Sequence, residues 1–246
     1  TAAAYKKNVL LCEIERWKTM PIPDACLAQL PAQVELDEDP VNCWRSAVRA
    51  VDQICTDTVK EFKQKLKLAG VRAVTGNTQL FNEHTIFQGK VKKTALNVLI
   101  ATESKCQNIN SEFVVVDKLF RDNTWPGVTG VLGNSMLAIQ VVSLLNYLRV
   151  PVTLLQRGTI LEEFDQGAVK ILLMNLIKAG ISIEPYDDEI HKFIFKTIVI
   201  ANERVFDYRA INAHNIGLEI EHSSLVTNKQ DRTNVNNIYA IGDIVL

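Results

Sequence analysis

No apolar run in this chain approaches the roughly 20 consecutive residues that a membrane-spanning helix needs, so a transmembrane anchor is not expected. A surplus of either charge is missing too: 27 Lys and Arg stand against 28 Asp and Glu, a formal net charge of -1. Nucleic acid and membrane surfaces recruit proteins through clustered Lys and Arg, and neither is an expected partner. There is no signal-peptide pattern. The chain opens Thr1-Ala-Ala-Ala without a methionine, which points to a chain processed or cut from a longer one. Paired cysteines are lacking as well. The five present (Cys12, Cys26, Cys43, Cys55 and Cys106) are odd in number and contain no C-x-x-C, which argues against a disulfide framework and a zinc site. No metal is expected. Reduced thiols and a cytoplasmic location are the simplest reading, with Cys12 a core residue of an apolar strand.

What is present is the composition of a folded globular protein. Hydrophobic residues make up 47% and charged residues 22% of 246 positions, enough for one large domain or two small ones. Residues 2–7 read as the end of a helix and 8–13 as a buried strand ending in an acid. Residues 20–40 hold four of the seven prolines and read as irregular. Over 41–69 apolar side chains recur at helical spacing (Trp44, Val48, Val51, Ile54, Val59, Phe62, Leu66, Leu68), which predicts one or two helices. Strands are expected at 71–75, 79–81, 84–87, 97–102, 193–201 and 237–241. Asp165 and Gly180 bracket a helix over 166–179 as N-cap and C-terminal stop.

The most informative stretch begins Val128-Thr-Gly-Val-Leu-Gly-Asn-Ser-Met-Leu-Ala138 and ends Pro151-Val-Thr-Leu-Leu-Gln-Arg157. It reads as strand, tight turn, amphipathic helix, second strand, then a basic residue. Gly133 allows the sharp turn, while Ser135 and Ala138 stand where the second and third glycines of G-x-G-x-x-G belong. Small residues there let a pyrophosphate approach the backbone and the helix approach the strand, and the helix N-terminus offers free N–H groups to phosphates. A nicotinamide-nucleotide site is one reading; a glycine turn in an ordinary α/β unit is the other. At the end of the second strand stand Gln156 and Arg157, not the carboxylate that binds the ribose 2′-hydroxyl of NAD. A guanidinium matches a 2′-phosphate, so NADP is favoured, with Glu162 and Glu163 opposing.

Further stretches converge on one family. Asp117-Lys-Leu-Phe-Arg-Asp-Asn-Thr-Trp-Pro-Gly127 leads into this unit, and Gln156-Arg-Gly-Thr-Ile-Leu-Glu-Glu-Phe-Asp-Gln166 follows it. The chain closes on Thr233-Asn-Val-Asn-Asn-Ile-Tyr-Ala-Ile-Gly-Asp-Ile244. With these the chain resembles the flavoprotein disulfide reductases, most closely the large thioredoxin and glutathione reductases. The resemblance implies an α/β fold of two Rossmann-like nucleotide-binding layers. Residues 1–111 would be an FAD-binding-like domain lacking its first strand and phosphate loop, and 112–232 an inserted NAD(P)-binding-like domain. Residues 233–246 would return to the first layer, with the C-terminal dimer domain absent. FAD and NADPH are the implied cofactors. Gly242 and Asp243 would hold the flavin ribityl chain, Glu13 the adenosine ribose, and Ala101 and Thr102 would lie along the flavin. Gly133, Ser135, Ala138, Gln156 and Arg157 would surround NADPH. The implied substrate is a thioredoxin-like protein or a small disulfide, with a homodimer if the full chain is longer.

Departures from the family pattern are specific. Its redox C-x-x-x-x-C has no counterpart: after Glu13 only Asp24-Ala-Cys-Leu-Ala-Gln-Leu-Pro31 offers a cysteine, and the position five beyond Cys26 is Pro31. Cys26 is the only catalytic candidate, and disulfide exchange needs a resolving partner; a passive thiol in a proline-rich loop is the competing reading. Glu103 and Glu203 replace glycines and Gln140 a glutamate. His84, His191, His214 and His222 match no acid–base histidine of the family, and surface or turn roles are expected for them. Three functions stay open: an FAD- and NADPH-dependent disulfide reductase, a non-catalytic nucleotide-binding or regulatory relative, and a part of a larger reductase. Turnover by this chain alone does not follow from the likeness.

Overall fold

Four consecutive buried residues, Thr129–Leu132, mark a strand covered on both faces, and in the computed structural model that strand is the centre of a parallel sheet, as such burial requires. The structure describes residues 9–13, 24–102, 104–106, 112–201, 204–242 and 244–245; the helix end expected at 2–7 lies outside them. In chain order the elements are β1 (Leu10–Glu13), α1 (Asp24–Gln29), α2 (Pro40–Leu68), β2 (Arg72–Thr75), β3 (Thr78–Asn82), β4 (Thr85–Gln88), β5 (Val91–Thr94), β6 (Val98–Ile100), β7 (Ser104–Cys106) and β8 (Val114–Val115). They continue with α3 (Val116–Leu119), β9 (Thr129–Leu132), α4 (Met136–Tyr147), β10 (Val152–Gln156), α5 (Gln166–Lys178), β11 (Ser182–Pro185), α6 (Asp188–Ile194) and β12 (Thr197–Ile200). The last are β13 (Arg204–Phe206), β14 (Ile220–Glu221), β15 (Ser224–Leu225) and β16 (Ile238–Ala240). The chain divides into two compact units, one of Thr1–Pro21, Thr58–Lys105 and Arg204–Leu246, the other of Ile22–Asp57 and Cys106–Glu203.

The second unit holds a five-stranded sheet in the order β11-β10-β9-β12-β8, all of its ladders parallel. The order reverses between β9 and β12, which makes the carboxyl ends of those strands the natural ligand crevice. Helix α4 buries Leu137, Ala138, Ile139, Val141, Val142, Leu144 and Leu145, nearly its whole circumference. In α2 the residues Trp44, Ala47, Val48, Val51 and Ile54 form one buried face, spaced three or four apart as an amphipathic helix demands. Asp39 starts that helix by accepting from the Val41 N–H at 2.9 Å, with Pro40 at the first helical position, where its missing N–H costs nothing. Trp44 is anchored twice: its indole N–H donates to the Asp122 carbonyl at 3.0 Å, and its ring lies 5.5 Å from that of Phe120.

Three expectations need correction here. Residues 20–40 are not all irregular: 24–29 form α1 and Leu30–Ala32 a 3-10 turn, because Cys26, Leu27 and Leu30 have a core to pack into. The strand expected over 193–201 begins only at Thr197. Phe193 and Ile194 close α6, whose N-cap Asp187 accepts from the Glu189 and Ile190 N–H groups. His191 is neither a surface nor a turn residue: it is buried and its Nδ1 accepts from the Asp187 N–H at 2.9 Å.

The first unit is built of small sheets. β1 and β2 pair in parallel, β3, β4 and β5 form an antiparallel meander, and β6 pairs in parallel with β16. β5 carries no apolar alternation, since Val91-Lys-Lys-Thr94 is mostly exposed, and it escapes a pattern search for that reason. The core gathers Leu80, Ile100, Phe206, Ile211, Leu218, Leu225, Ile238 and Ile244.

Candidate nucleotide-binding site

The turn after β9 is as tight as its sequence suggests. A side chain at Gly133 would bring its Cβ 2.4 Å from the Ala201 carbonyl oxygen and 3.1 Å from the Ala138 Cβ, so strand, turn and helix meet where only glycine fits. Ala138 is fully buried and lets α4 approach the sheet. Ser135 is the N-cap of α4: its Oγ accepts from the Ala138 N–H at 3.5 Å and donates to the Ala201 carbonyl at 2.9 Å. The α4 N-terminus, with its unsatisfied N–H groups and positive dipole end, therefore opens at the carboxyl ends of β9 and β12.

Arg157 follows β10 on the same rim and is exposed. Asn134, inside the turn, binds its backbone twice: the Asn134 Oδ1 accepts from the Arg157 N–H at 3.1 Å, and the Asn134 amide donates to the Arg157 carbonyl. The Arg157 guanidinium carbon lies 4.4 Å from the centroid of the Tyr186 ring. Tyr186 follows β11, and its N–H donates to the Gln156 carbonyl at 2.8 Å. Burial, then its hydrogen bond to Asp188, pushes the Tyr186 hydroxyl up to about 12, with Arg157 opposing. Asn134 and Tyr186 are absent from the sequence reading. The only signal for either was its place, one in the glycine turn and one at a strand's carboxyl end.

In the first unit the ends of β6 and β16 lie side by side, with the Ile241 N–H donating to the Ile100 carbonyl at 3.0 Å. Ala101 and Thr102 leave one strand and Gly242 the other. Gly242 has φ +87° and nothing among the described residues within 4 Å of an added Cβ, an open, left-handed position that suits close approach of a ligand. The Thr102 Oγ1 is buried with no hydrogen-bond partner among the described residues, an acceptor and donor left for a ligand atom. Glu13 ends β1. Its side chain, Asp243, Glu103 and Glu203 lie outside the described residues.

Cys26 is no longer a lone loop thiol. It is buried in α1, and the half-buried thiol of Cys55 in α2 lies beside it. Burial, then the adjacent Cys26, pushes the Cys55 thiol up to about 11, with Arg121 opposing. A thiol so disposed is almost wholly protonated near neutrality and is a poor nucleophile. Among the described residues no group of three or more His, Cys, Asp or Glu could hold a metal ion, and no helix is long and apolar enough to cross a membrane.

Residues 1–245 match the family model described as pyridine nucleotide-disulphide oxidoreductase. A glutathione reductase of Nostoc sp. is 23% identical over 235 residues, 82% of this chain and 51% of that protein. A thioredoxin reductase of Plasmodium falciparum is 24% identical over 232 residues, 82% of this chain and 43% of that protein. The chain thus spans about half the length of the curated relatives it matches. Among solved structures, the HOCl-induced flavoprotein disulfide reductase RclA from Escherichia coli superposes with a TM-score of 0.77 at 16% identity, over 98% of this chain and 62% of that one. A copper(II) complex of a mutant of that reductase gives a TM-score of 0.80 over 99% of this chain, a likeness of fold alone. With a family match over nearly every residue and a glycine turn, capped helix and parallel sheet built as such proteins need, the chain belongs to the pyridine nucleotide-disulphide oxidoreductase family.

Proposed function

We propose that this chain is the nucleotide-binding part of an FAD- and NADPH-dependent flavoprotein of the disulfide reductase type. The observation that carries the NADPH reading is Arg157, presented at the carboxyl end of β10 beside the capped N-terminus of α4. A planar guanidinium there suits a 2′-phosphate, and the strand end offers no carboxylate to prefer a free ribose hydroxyl. Gly133, Ser135 and the first N–H groups of α4 would cradle the pyrophosphate, and Ala138 would keep the helix close. In the other unit Thr102, Gly242 and Asp243 would hold FAD, with Glu13 at the adenosine ribose. The unpartnered Thr102 Oγ1 and the open Gly242 fit such a group. FAD, when bound, supplies the two-electron carrier between nicotinamide and disulfide. What the chain itself contributes is binding, orientation and the exclusion of water around those groups.

A second reading rests on the thiols. The sequence has no C-x-x-x-x-C, Cys26 is buried, and burial raises the half-buried Cys55 thiol beside it, so a non-catalytic nucleotide-binding relative is the competing function. A thioredoxin-like protein or small disulfide is the substrate under the first reading only. The visible absorption spectrum of the purified protein between 350 and 550 nm, before and after anaerobic NADPH, separates the two. A yellow protein that bleaches is the expected outcome. A protein that stays colourless after added FAD would refute the flavoprotein reading.

A further inference from the structure

A long arginine side chain on a protein surface samples many rotamers, and aiming it at one phosphate costs side-chain entropy if nothing restrains it. Arg157 is restrained at both ends. Its peptide unit is gripped by Asn134, which accepts from the Arg157 N–H at 3.1 Å and donates to the Arg157 carbonyl. Asn134 stands between Gly133 and Ser135, so the phosphate turn and the end of β10 form one hydrogen-bonded piece. Its guanidinium rests on the Tyr186 ring, 4.4 Å from the centroid. That ring cannot swing away easily. Phe113 meets it edge-on at 6.4 Å and 90°, and the His191 ring lies tilted by 34° at 5.7 Å. The Tyr186 hydroxyl donates to Asp188 at 2.6 Å, and its N–H is tied to Gln156. A guanidinium over a ring engages it through its face, and its planar fork of N–H donors is the part that would read phosphate oxygens.

We propose that Asn134 and Tyr186 are positioning residues that set this chain's preference for a 2′-phosphorylated adenine nucleotide, by holding Arg157 in its phosphate-reading pose. The proposal rests on the NADPH reading of this site. The pre-set pose rewards only a ligand that carries the 2′-phosphate. NADH, which lacks it, gains nothing from the orientation. Tyr186 and Asn134 therefore act on the ratio of the two affinities, where a residue that merely supports the fold would lower both together.

The test is equilibrium binding of NADPH, NADH and 2′,5′-ADP to the full chain. Tyr186→Leu weakens NADPH and 2′,5′-ADP about tenfold, the scale of a partly desolvated cation–π contact, and leaves NADH within about twofold. Tyr186→Phe, which keeps the ring, restores most of the loss. Asn134→Ala moves the ratio the same way and carries the test if Tyr186→Leu does not fold. Equal weakening of NADPH and NADH, or no change in either, overturns the proposal. Arg157→Ala distinguishes its failure from that of the underlying reading. If this variant loses NADPH selectively while Tyr186→Leu and Asn134→Ala do not, the NADPH site stands and the positioning role falls. If Arg157→Ala leaves the ratio unchanged, both fall.

Discussion

Gly133 is the residue on which the turn depends. A methyl group there would meet the Ala201 carbonyl at 2.4 Å, well inside contact distance, and the obstacle is backbone that cannot rotate aside. Gly133→Ala is expected to destabilise the protein by about 1–3 kcal/mol, the usual cost of overpacking, and to weaken binding of both NADPH and NADH, since the turn itself shifts. A lowered urea midpoint with an unchanged slope would report this; a midpoint equal to wild type would contradict it. Its glycine identity was legible in the sequence as the first position of a degenerate motif. The Ala201 contact was not, because 68 residues separate positions 133 and 201 and only the β9–β12 pairing brings them together.

At the scale of elements, the signals that act within a few residues carried well. Asp165 does cap α5, accepting from the Ala168 N–H at 2.8 Å, and the helix ends at Gly180 in the left-handed region, φ +91°. Asp165→Ala removes one satisfied helix-start N–H and should cost about 1 kcal/mol, read as a lower urea midpoint; Asp165→Asn should retain most of the stability. Loss from Asn equal to that from Ala would mean charge, not capping, is at work. The misread elements failed for a common reason. α1 is only Asp24–Gln29, too short for periodicity to register, and it is formed by burying Cys26 and Leu27 in the core rather than by propensity. α6 hides in a β-rich composition, Phe193-Ile-Phe195, because the Asp187 cap and buried His191 outweigh local preference.

For the molecule as a whole, alkaline pH is the informative perturbation. The Cys55 thiol is raised to about 11 and the Tyr186 hydroxyl to about 12, so the folded state holds both protons more tightly than the unfolded chain. Stability from such groups is complete below their ordinary values and is lost as pH rises through the folded ones. The melting temperature should therefore fall between pH 9 and about 11 by more in wild type than in Cys55→Ser, in which the half-buried thiol is gone. Equal slopes would remove Cys55 from the account. The sequence by itself determined the βαβ unit, its glycine turn, the cap of α5 and the family, because each rests on short-range sterics, spacing or hydrogen bonds among near neighbours. Only the tertiary structure decided that Tyr186 and Asn134 converge on Arg157, that Cys26 meets Cys55, and that residues 22–57 pack with the unit of the five-stranded sheet. Those contacts join segments far apart in the chain, and it is the closing of the sheet and the burial of its core that set them.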